Sequence, residues 1–193
     1  VYSPALTDFV IATRQASHMF VTGPDVVRAV TGEQISAEDL GGARIHGSVS
    51  GVVHYVAEDE EDALGQVRSF LAYLPSSAEV DAPLYAYDDT DAQADAEAAR
   101  SVGEIVPAST RQAYDVVEVV SAVVDHGELV QVQEEFAANV VVGFACFEGH
   151  PVGIVANQPL VDAGTLDVDA SEKLARFVRF CDAFGLPVVT FVD

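Results

Sequence analysis

Two apolar runs separated by a tight turn constrain the fold more than any other feature of the sequence. Residues 140–147 and 152–156 are almost entirely apolar, and Glu148-Gly149-His150-Pro151 lies between them. Apolar runs of this length, separated by turn residues, are typical of a β-hairpin. Asn157-Gln158-Pro159 then ends the second run. The sequence therefore predicts two paired strands whose side chains are largely buried.

The segment after this hairpin predicts a parallel strand pair. Residues 171–184 carry apolar side chains at helical spacing, and Gly185 and Pro187 end that helix before an apolar run at 188–193. A strand, a helix and a second strand in this order form a βαβ unit, which predicts an α/β fold and a buried last strand. Ligands of such sheets bind beyond the carboxyl ends of the strands, here near residues 156–164 and past Asp193.

Further helices are predicted in the first part of the chain and near residues 115–124. Gly23-Pro24 begins a helix through Thr31, and Ser36 to Asp39 resembles a weak capping box ended by Gly41-Gly42. Residues 59–74 form the clearest of these helices, because apolar side chains recur at helical spacing and Pro75 follows. The acidic run at 58–62 then favours the positive end of the helix dipole.

The charge is strongly negative and unevenly distributed. The 193 residues include 31 Asp and Glu against 9 Lys and Arg, which gives a net charge of −22. This excludes a protein that neutralises nucleic-acid phosphates. Residues 79–104 alone carry eight acidic residues and one arginine, without a strong apolar period. The chain is therefore predicted to divide into residues 1–75, an acidic connector or solvated surface segment at 76–112, and residues 113–193.

The sequence contains no feature that predicts membrane association or secretion. No apolar stretch approaches the roughly 20 residues that span a bilayer, and the first residues do not form a signal peptide. Cys146 and Cys181 are therefore expected to be reduced core thiols of a cytoplasmic protein. Because the chain starts at Val1 and stops directly after a predicted strand, we expect it to be an internal piece of a longer polypeptide.

Familiar catalytic side-chain patterns are not found. Residues 47–51 resemble a nucleophile elbow only superficially, because Val49 occupies its central position. No Gly-rich phosphate loop is present. The five histidines show no metal-ligand spacing, so we expect no metal site and structural or surface roles for them. The glycine-containing loops at 41–44 and 157–164 could let main chain approach a ligand, with ordinary turns as the alternative.

Several strings, in order, resemble the carboxyltransferase (beta) subunit of biotin-dependent acyl-CoA carboxylases, most closely the propionyl-CoA carboxylase type. They are YSPALTDF (2–9), HMFVTGPDVV (18–27), GGAR (41–44), SGVVHY (50–55), YLPS (73–76), YDVVEVV (114–120), VGIVANQP (152–159), ASEK (170–173) and ARFVR (175–179). They extend over nearly all of the chain except the acidic connector.

The resemblance implies a crotonase-like (ClpP/crotonase) carboxyltransferase fold of the α/β class. Residues 1–75 would end its N-terminal, acyl-CoA half, and residues 113–193 would start its C-terminal, biotin half. It implies a reaction in which an acyl-CoA thioester becomes an enolate and takes a carboxyl group from carboxybiotin. Backbone N–H groups would stabilise the enolate oxygen. The family's glycine turns for this role would lie before Val1 and after Asp193, so no catalytic residue is expected within the chain.

Site residues, cofactors and partners also follow from the resemblance. The acyl-CoA side would include Gly23, Pro24, Gly41, Gly42, Ala43 and Arg44, and the biotin side would include Asn157, Gln158, Pro159 and Gly164. Arg44 would be a counter-charge to a CoA phosphate, with an ordinary surface arginine as the alternative. Biotin would be carried on a partner biotin carboxylase or biotin carrier subunit, and the substrate would be propionyl-CoA or acetyl-CoA. The resemblance also implies a homo-oligomer, a hexamer, and we expect a cytoplasmic location.

Two alternatives to an acyl-CoA carboxylase component stay open. One is a noncatalytic scaffold paralogue that pairs with active subunits. The other is a CoA-thioester decarboxylase or transcarboxylase subunit of the same fold. ATP-dependent bicarbonate fixation with a partner subunit would separate the second alternative from a carboxylase.

We predict that the 193-residue chain alone does not carboxylate an acyl-CoA, because the glycine turns that the family uses lie outside it. A carboxylation assay with free biotin measures this. Appreciable product would contradict the prediction.

Overall fold

The structure is a computed structural model that describes residues 3–77, 79–109 and 111–193. Its strands are β1 (Ile11–Thr13), β2 (Tyr55–Ala57), β3 (Val130–Val132), β4 (Val140–Phe147), β5 (His150–Asn157) and β6 (Val188–Phe191). Its helices are α1 (Pro24–Thr31), α2 (Ala37–Gly41), α3 (Ala43–Ser48), α4 (Glu60–Ala72), α5 (Asp89–Ala99), α6 (Val102–Ile105), α7 (Val116–Ser121) and α8 (Val168–Ala183). Short 3₁₀ turns cover Pro4–Leu6, Asp125–Gly127 and Asp162–Gly164.

The chain forms two compact units. The first unit contains residues 1–68 and 133–136, and the second contains residues 69–132 and 137–193. These boundaries differ from the predicted ones after residues 75 and 112, since the connector belongs to the second unit and the short segment 133–136 packs with the first unit. Gln133 donates its N–H to the His54 carbonyl at 2.8 Å, which holds that segment there. The assignment of residues 1–75 and 113–193 to two carboxyltransferase halves stays a prediction.

A four-stranded sheet in the order β3-β4-β5-β6 forms the centre of the second unit. β4 and β5 pair antiparallel from Val140 opposite Asn157 to Phe147 opposite His150, and β6 lies parallel to β5. The predicted hairpin and parallel pair are both confirmed. β3 was not predicted, because three residues are too few to show an alternating pattern.

Both faces of this sheet are covered, which explains the unbroken apolar run of β4. On one face, Val141 and Ala145 pack with Val116 and Val120 of α7. On the other, Phe144 lies 5.2 Å from Phe177 and 6.0 Å from Phe180 of α8, measured between ring centroids. A strand buried on both sides shows no alternation of apolar and polar residues.

The structure corrects the prediction that the last strand is buried. β6 lies at the end of the sheet order, its residues alternate between exposed and half-buried, and Val188 is 37% exposed. An apolar run alone does not show whether a strand is central or at an edge.

The predicted helices form, with some differences in length and burial. α8 begins at Val168, because the Asp167 side chain accepts the Ala170 N–H at 2.8 Å and caps it there. α4 has the predicted acidic first turn. Its apolar face is largely exposed in this chain, however, since Leu64 and Leu71 are 57% and 61% exposed and Phe70 is its one buried residue.

The acidic connector contains helices and is bonded to the rest of the second unit. α5 and α6 lie within it, and an Asp88–Asp91 capping box begins α5. The Asp95 carboxylate accepts hydrogen bonds from the Tyr87 hydroxyl at 3.0 Å and the His126 N–H at 3.1 Å. Local capping therefore overcomes the weak apolar pattern of this segment. Ala78 and Thr110 of the connector lie outside the described residues.

The first unit is built on β1 and β2, a parallel pair of three residues each that was not predicted. Its small core contains Val10, Ala12, Ala43 and Val53. α2 begins as expected, since the Ser36 side chain accepts the Asp39 N–H at 3.0 Å.

Gly41 ends α2 where another chain segment approaches closely. Its carbonyl accepts the Met19 N–H at 2.8 Å. A Cβ at this position would lie 2.2 Å from the Met19 carbonyl oxygen and 2.7 Å from the Phe20 ring. A side chain there would force the main chain of residues 19–20 to move, so the contact requires glycine.

No helix in the described part of the chain is both long and apolar enough to cross a membrane.

We predict that Asp125→Ala destabilises the second unit by roughly 3 kcal/mol, because it leaves two main-chain N–H groups without a charged acceptor. The buried Asp125 carboxylate accepts the N–H groups of Glu148 and Gly149 at 2.8 and 2.7 Å, in the turn between β4 and β5. Urea unfolding measures the loss. Asp81→Ala, an exposed aspartate in the same unit, is the matched control and should cost less than about 0.5 kcal/mol. Equal effects of the two substitutions would contradict the prediction.

We predict that Gly41→Ala lowers the free energy of unfolding by about 1–3 kcal/mol, because the added methyl group overlaps main chain. Gly65→Ala is the matched control, since a Cβ at Gly65 of α4 meets nothing within 4 Å. That substitution should stabilise the helix by about 0.5–1 kcal/mol. A Gly41→Ala variant that resists urea as well as wild type, or better, would show that the approach of Met19 is not restrictive.

Candidate functional site

Gly23 and Pro24 lie at the start of α1 in the first unit. Gly23 is the N-cap residue, and Pro24 is the first helical residue, where its missing N–H costs nothing. Pro24 lines a cavity of about 330 Å³ together with Asp25, Arg28, Gln34, Ile35 and Ser36. Arg28 donates to Asp25 at 3.1 Å, so its charge is already paired beside this cavity.

Gly41, Gly42, Ala43 and Arg44 lie where α2 passes directly into α3. Gly42 is the N-cap of α3, so Ala43 and Arg44 belong to a helix and not to the loop that was predicted. Ala43 is 1% exposed and packs in the core of the first unit. A short helix of six residues containing glycine shows little periodicity, which is why the sequence indicated a loop.

His46 of α3 helps to hold this junction, a role that sequence reasoning missed. Its Nε2 lies 2.8 Å from the Met19 carbonyl oxygen and its Nδ1 lies 2.9 Å from the Ser50 hydroxyl. The Met19 N–H is bonded to Gly41, so Met19 is held from both sides. A histidine without a metal-ligand pattern offers no sequence signal for such a contact.

Arg44 is the residue of this group that can meet a ligand charge. It is exposed. Within residues 3–77, 79–109 and 111–193, no acidic side chain forms an ion pair with it, whereas Arg14 pairs with Glu58 at 2.7 Å. Its guanidinium group is therefore available to an anion.

The four residues of the second group lie at the carboxyl end of β5 in the second unit. Asn157 is the last residue of the strand, and Gln158 and Pro159 are buried directly after it. Gly164 is also buried and has a φ of 65°, which a residue with a side chain adopts only with strain. The structure therefore brings these residues together in one loop beside the parallel pair β5–β6.

The amide side chains of this loop bond to the protein itself. The Asn157 amide donates to the Gly164 carbonyl at 2.7 Å. Gln158 is 7% exposed, donates to the Asp115 carboxylate at 2.7 Å and accepts the Val116 N–H at 3.2 Å. These side chains shape the loop, and the residues that the loop exposes are Leu160, Asp162 and Ala163.

Asn139 and Asp115 are further residues of this site that sequence reasoning missed. The buried Asn139 amide donates to the Thr165 carbonyl at 2.7 Å. Asp115 caps α7 by accepting the Val117 N–H at 2.9 Å. Its position before a predicted helix is a usable sequence signal, whereas Asn139 lies in an ordinary turn before β4.

Another cavity, which lies in the second unit, was not predicted. It has a volume of about 540 Å³, and its lining includes Tyr73, Tyr85, Glu128 and Cys146. Burial, with smaller contributions from nearby acidic groups, raises the pKa of the Cys146 thiol to about 11. Cys181 is fully buried, and burial raises the pKa of its thiol to about 11 as well. Both thiols stay protonated near neutral pH, so neither is an activated nucleophile.

The remaining titratable groups form no metal-binding arrangement in the described part of the chain, where no three His, Cys, Asp or Glu side chains converge. His54 is buried and its Nδ1 accepts the Val10 N–H at 3.1 Å. His18 lies 3.1 Å from the Glu38 carboxylate. The contacts of these two histidines are structural.

The whole chain, residues 1–193, matches the family model of the carboxyl transferase domain. It is 52% identical over 194 residues to a propionyl-CoA carboxylase carboxyltransferase subunit of Haloferax mediterranei, covering 100% of this chain and 37% of that protein. It is 50% identical over 193 residues to methylmalonyl-CoA decarboxylase subunit alpha of Veillonella parvula, with the same two coverages.

The solved structures agree with this relation. A transcarboxylase 12S crystal structure, described as a hexamer with hydrolysed methylmalonyl-CoA bound, superposes with a TM-score of 0.92 at 42% identity, covering 100% of this chain and 37% of that one. The chain thus spans about 37% of the length of the relatives it matches. The predicted crotonase-like carboxyltransferase fold is confirmed, and the chain belongs to the carboxyl transferase domain family.

Proposed function

We propose that this chain is part of the carboxyltransferase subunit of a biotin-dependent acyl-CoA carboxylase. The subunit would transfer a carboxyl group to the α carbon of an acyl-CoA, with propionyl-CoA or acetyl-CoA as substrate. Membership of the carboxyl transferase domain family over residues 1–193 is the observation that carries this proposal. The relatives named propionyl-CoA carboxylase subunits support it.

The proposed reaction fits a site that is built mainly from main chain. Deprotonation of the α carbon makes an enolate, whose oxygen is stabilised by preorganised N–H donors and needs no charged catalytic side chain. Gly41 and Gly164 are buried glycines at which an added Cβ would lie 2.2 Å and 3.1 Å from a neighbouring atom, so the chain is closely packed at both positions. The remaining requirement is a cleft that orients the two reactants and excludes water.

In the proposal, the acyl-CoA side belongs to the first unit. Gly23 and Pro24 would border it, the buried Gly41, Gly42 and Ala43 would support it from within, and Arg44 would pair with a phosphate of CoA. The net charge of −22 opposes the approach of an anion at long range. Salt screens exposed charges beyond about 8–10 Å, whereas a direct guanidinium–phosphate contact is strong. An exposed arginine that forms no ion pair with the described residues therefore supports this role.

In the proposal, the biotin side belongs to the loop after β5. Biotin carboxylated on one urea nitrogen would supply the carboxyl group, and uncarboxylated biotin would be left after the transfer. Its fused rings are uncharged and partly apolar, with one urea carbonyl and two urea N–H groups. The loop suits such a group, because its Asn157 and Gln158 amides bond internally and Leu160, which is 55% exposed, offers an apolar side chain. Asn157, Gln158, Pro159 and Gly164 would therefore hold the loop in a fixed shape.

Partners and location follow from the same proposal. We expect a partner that carries biotin, assembly with further copies of the subunit and a location in the cytoplasm. The hexameric transcarboxylase core supports the expected oligomer.

A decarboxylase or transcarboxylase subunit is the second candidate. It is supported by the 50% identity to methylmalonyl-CoA decarboxylase subunit alpha and by the transcarboxylase 12S structure. These reactions pass through the same enolate and differ in what donates or accepts the carboxyl group. ATP-dependent incorporation of labelled bicarbonate into propionyl-CoA, by the full-length subunit with its biotin-carrying partner, favours the carboxylase. Activity limited to methylmalonyl-CoA decarboxylation, or to carboxyl transfer from methylmalonyl-CoA without ATP, would favour the second candidate.

We predict that Arg44→Ala in the full-length subunit raises the KM for acyl-CoA about tenfold and leaves kcat nearly unchanged, because the phosphate contact is made equally in ground and transition states. Steady-state kinetics with varied propionyl-CoA measure this. Arg179→Ala, which removes an exposed arginine from α8 in the second unit, is the matched control and should leave the KM within twofold. An unchanged KM in Arg44→Ala would show that Arg44 does not contact acyl-CoA.

A further inference from the structure

The loop that follows β5 contains an unusual run of backbone conformations. Asp162, Ala163 and Gly164 have φ values of 47°, 52° and 65°, so three consecutive residues lie in the left-handed region. Glycine adopts this region readily, but residues with a Cβ do so only when surrounding contacts enforce it. The loop therefore has its shape because other parts of the second unit hold it.

Asn139 bonds to both ends of this loop. Its side-chain amide donates to the Thr165 carbonyl at 2.7 Å, and its own main-chain carbonyl accepts the Gln158 N–H at 2.9 Å. The side chain is 3% exposed, so water does not compete for these contacts. One buried residue thus fixes the distance between the two ends of the strained segment.

The turn that carries Asn139 is itself held by the single lysine of the chain. Lys173 of α8 is 2% exposed, and its ammonium group donates to the carbonyls of Val140 at 2.8 Å and Ala137 at 3.3 Å. These carbonyls lie on either side of Asn139. Asn139 is therefore connected to α8 and β4, the rigid part of the second unit.

Gln158 and Asn157 hold the same loop from inside. Gln158 connects it to the start of α7 through Asp115 and Val116. Asn157 donates to the Gly164 carbonyl at 2.7 Å. These contacts close the loop, while Leu160, Asp162 and Ala163 stay exposed. The exposed stretch is a preformed surface that carries two apolar side chains, Leu160 and Ala163, and one carboxylate, Asp162.

We propose that Asn139 is a positioning residue for the biotin side of the site. It holds residues 158–165 so that the exposed stretch meets an uncharged cyclic urea without reordering on binding. Binding is tighter when a loop is already in its bound conformation. This inference rests on the proposed function, since it assumes that this loop receives biotin, and Asn139 acts only through the loop.

Biotin binding to the full-length subunit tests the inference. Asn139→Asp keeps the side-chain size but places a carboxylate against the Thr165 carbonyl, and Asn139→Ala removes the donor. We expect both variants to weaken the affinity for biotin methyl ester about tenfold in ligand-observed NMR titrations. Affinity for propionyl-CoA should stay within twofold of wild type. Hydrogen exchange of amides 160–165 should be at least tenfold faster.

Tyr85→Phe is the matched control. It also removes one side-chain donor to a main-chain carbonyl in the second unit, that of Ala72. It should leave biotin affinity and loop exchange unchanged. If Tyr85→Phe and the Asn139 variants unfold at a similar thermal midpoint, a loss of biotin affinity in the Asn139 variants alone comes from the loop and not from general destabilisation. If Asn139→Ala does not fold, Asn139→Asp provides the same measurements.

Three outcomes would overturn the inference. Unchanged biotin affinity with faster loop exchange would show that loop order does not matter for binding. Equal weakening of biotin and propionyl-CoA would show a general structural role. A wild-type subunit that binds propionyl-CoA but no biotin would show that the loop after β5 is not a biotin site. By contrast, a wild-type subunit without carboxylation activity would show a failure of the proposed function itself.

Discussion

Buried main-chain N–H and C=O groups must find hydrogen-bond partners, and this requirement determines how the polar residues of the chain are used. The buried polar side chains each bond to main chain in a turn, loop or helix start. They are His54, Asp125, Gln133, Asn139, Gln158 and Lys173. Asp125 holds the turn between β4 and β5, and Asn139 holds the loop after β5. Without these contacts the strands could still pair, but the connections between them would lose their fixed shape.

The same requirement connects the fold to the proposed chemistry. A reaction that stabilises an oxygen anion with N–H groups needs main chain at fixed positions. The structure supplies polar side chains that face inward and support the main chain. Acidic residues act similarly at helix starts, where Asp88, Asp115 and Asp167 accept N–H groups of the first turn. Part of the strong acidity therefore has a structural role.

Patterns with many consecutive residues could be predicted, and contacts between distant residues could not. The β4–β5 hairpin and β6 follow from apolar runs between turn residues, and the helices α4 and α8 follow from apolar periodicity over 13 and 16 residues. β1 and β2 are three residues each and lie far apart in sequence, so no local pattern indicates their pairing. The weak apolar periodicity of the connector predicts a solvated segment, whereas capping by Asp88 and contacts to Asp95 give it helical structure. The placement of Ala43 and Arg44 in a helix was likewise hidden by the short length of α3.

By itself, the sequence determined the α/β class, the order of hairpin, helix and parallel strand, and the family resemblance, because these depend on side-chain type and spacing along the chain. Only the tertiary structure decided which side chains hold the loops. Asn139 and Thr165 are 26 residues apart, and Gln158 and Asp115 are 43 residues apart. It also decided that Arg44 has no acidic partner within the described residues, while Arg14 and Arg28 have one. These outcomes depend on distances that packing sets, and packing brings together residues whose spacing along the chain carries no signal.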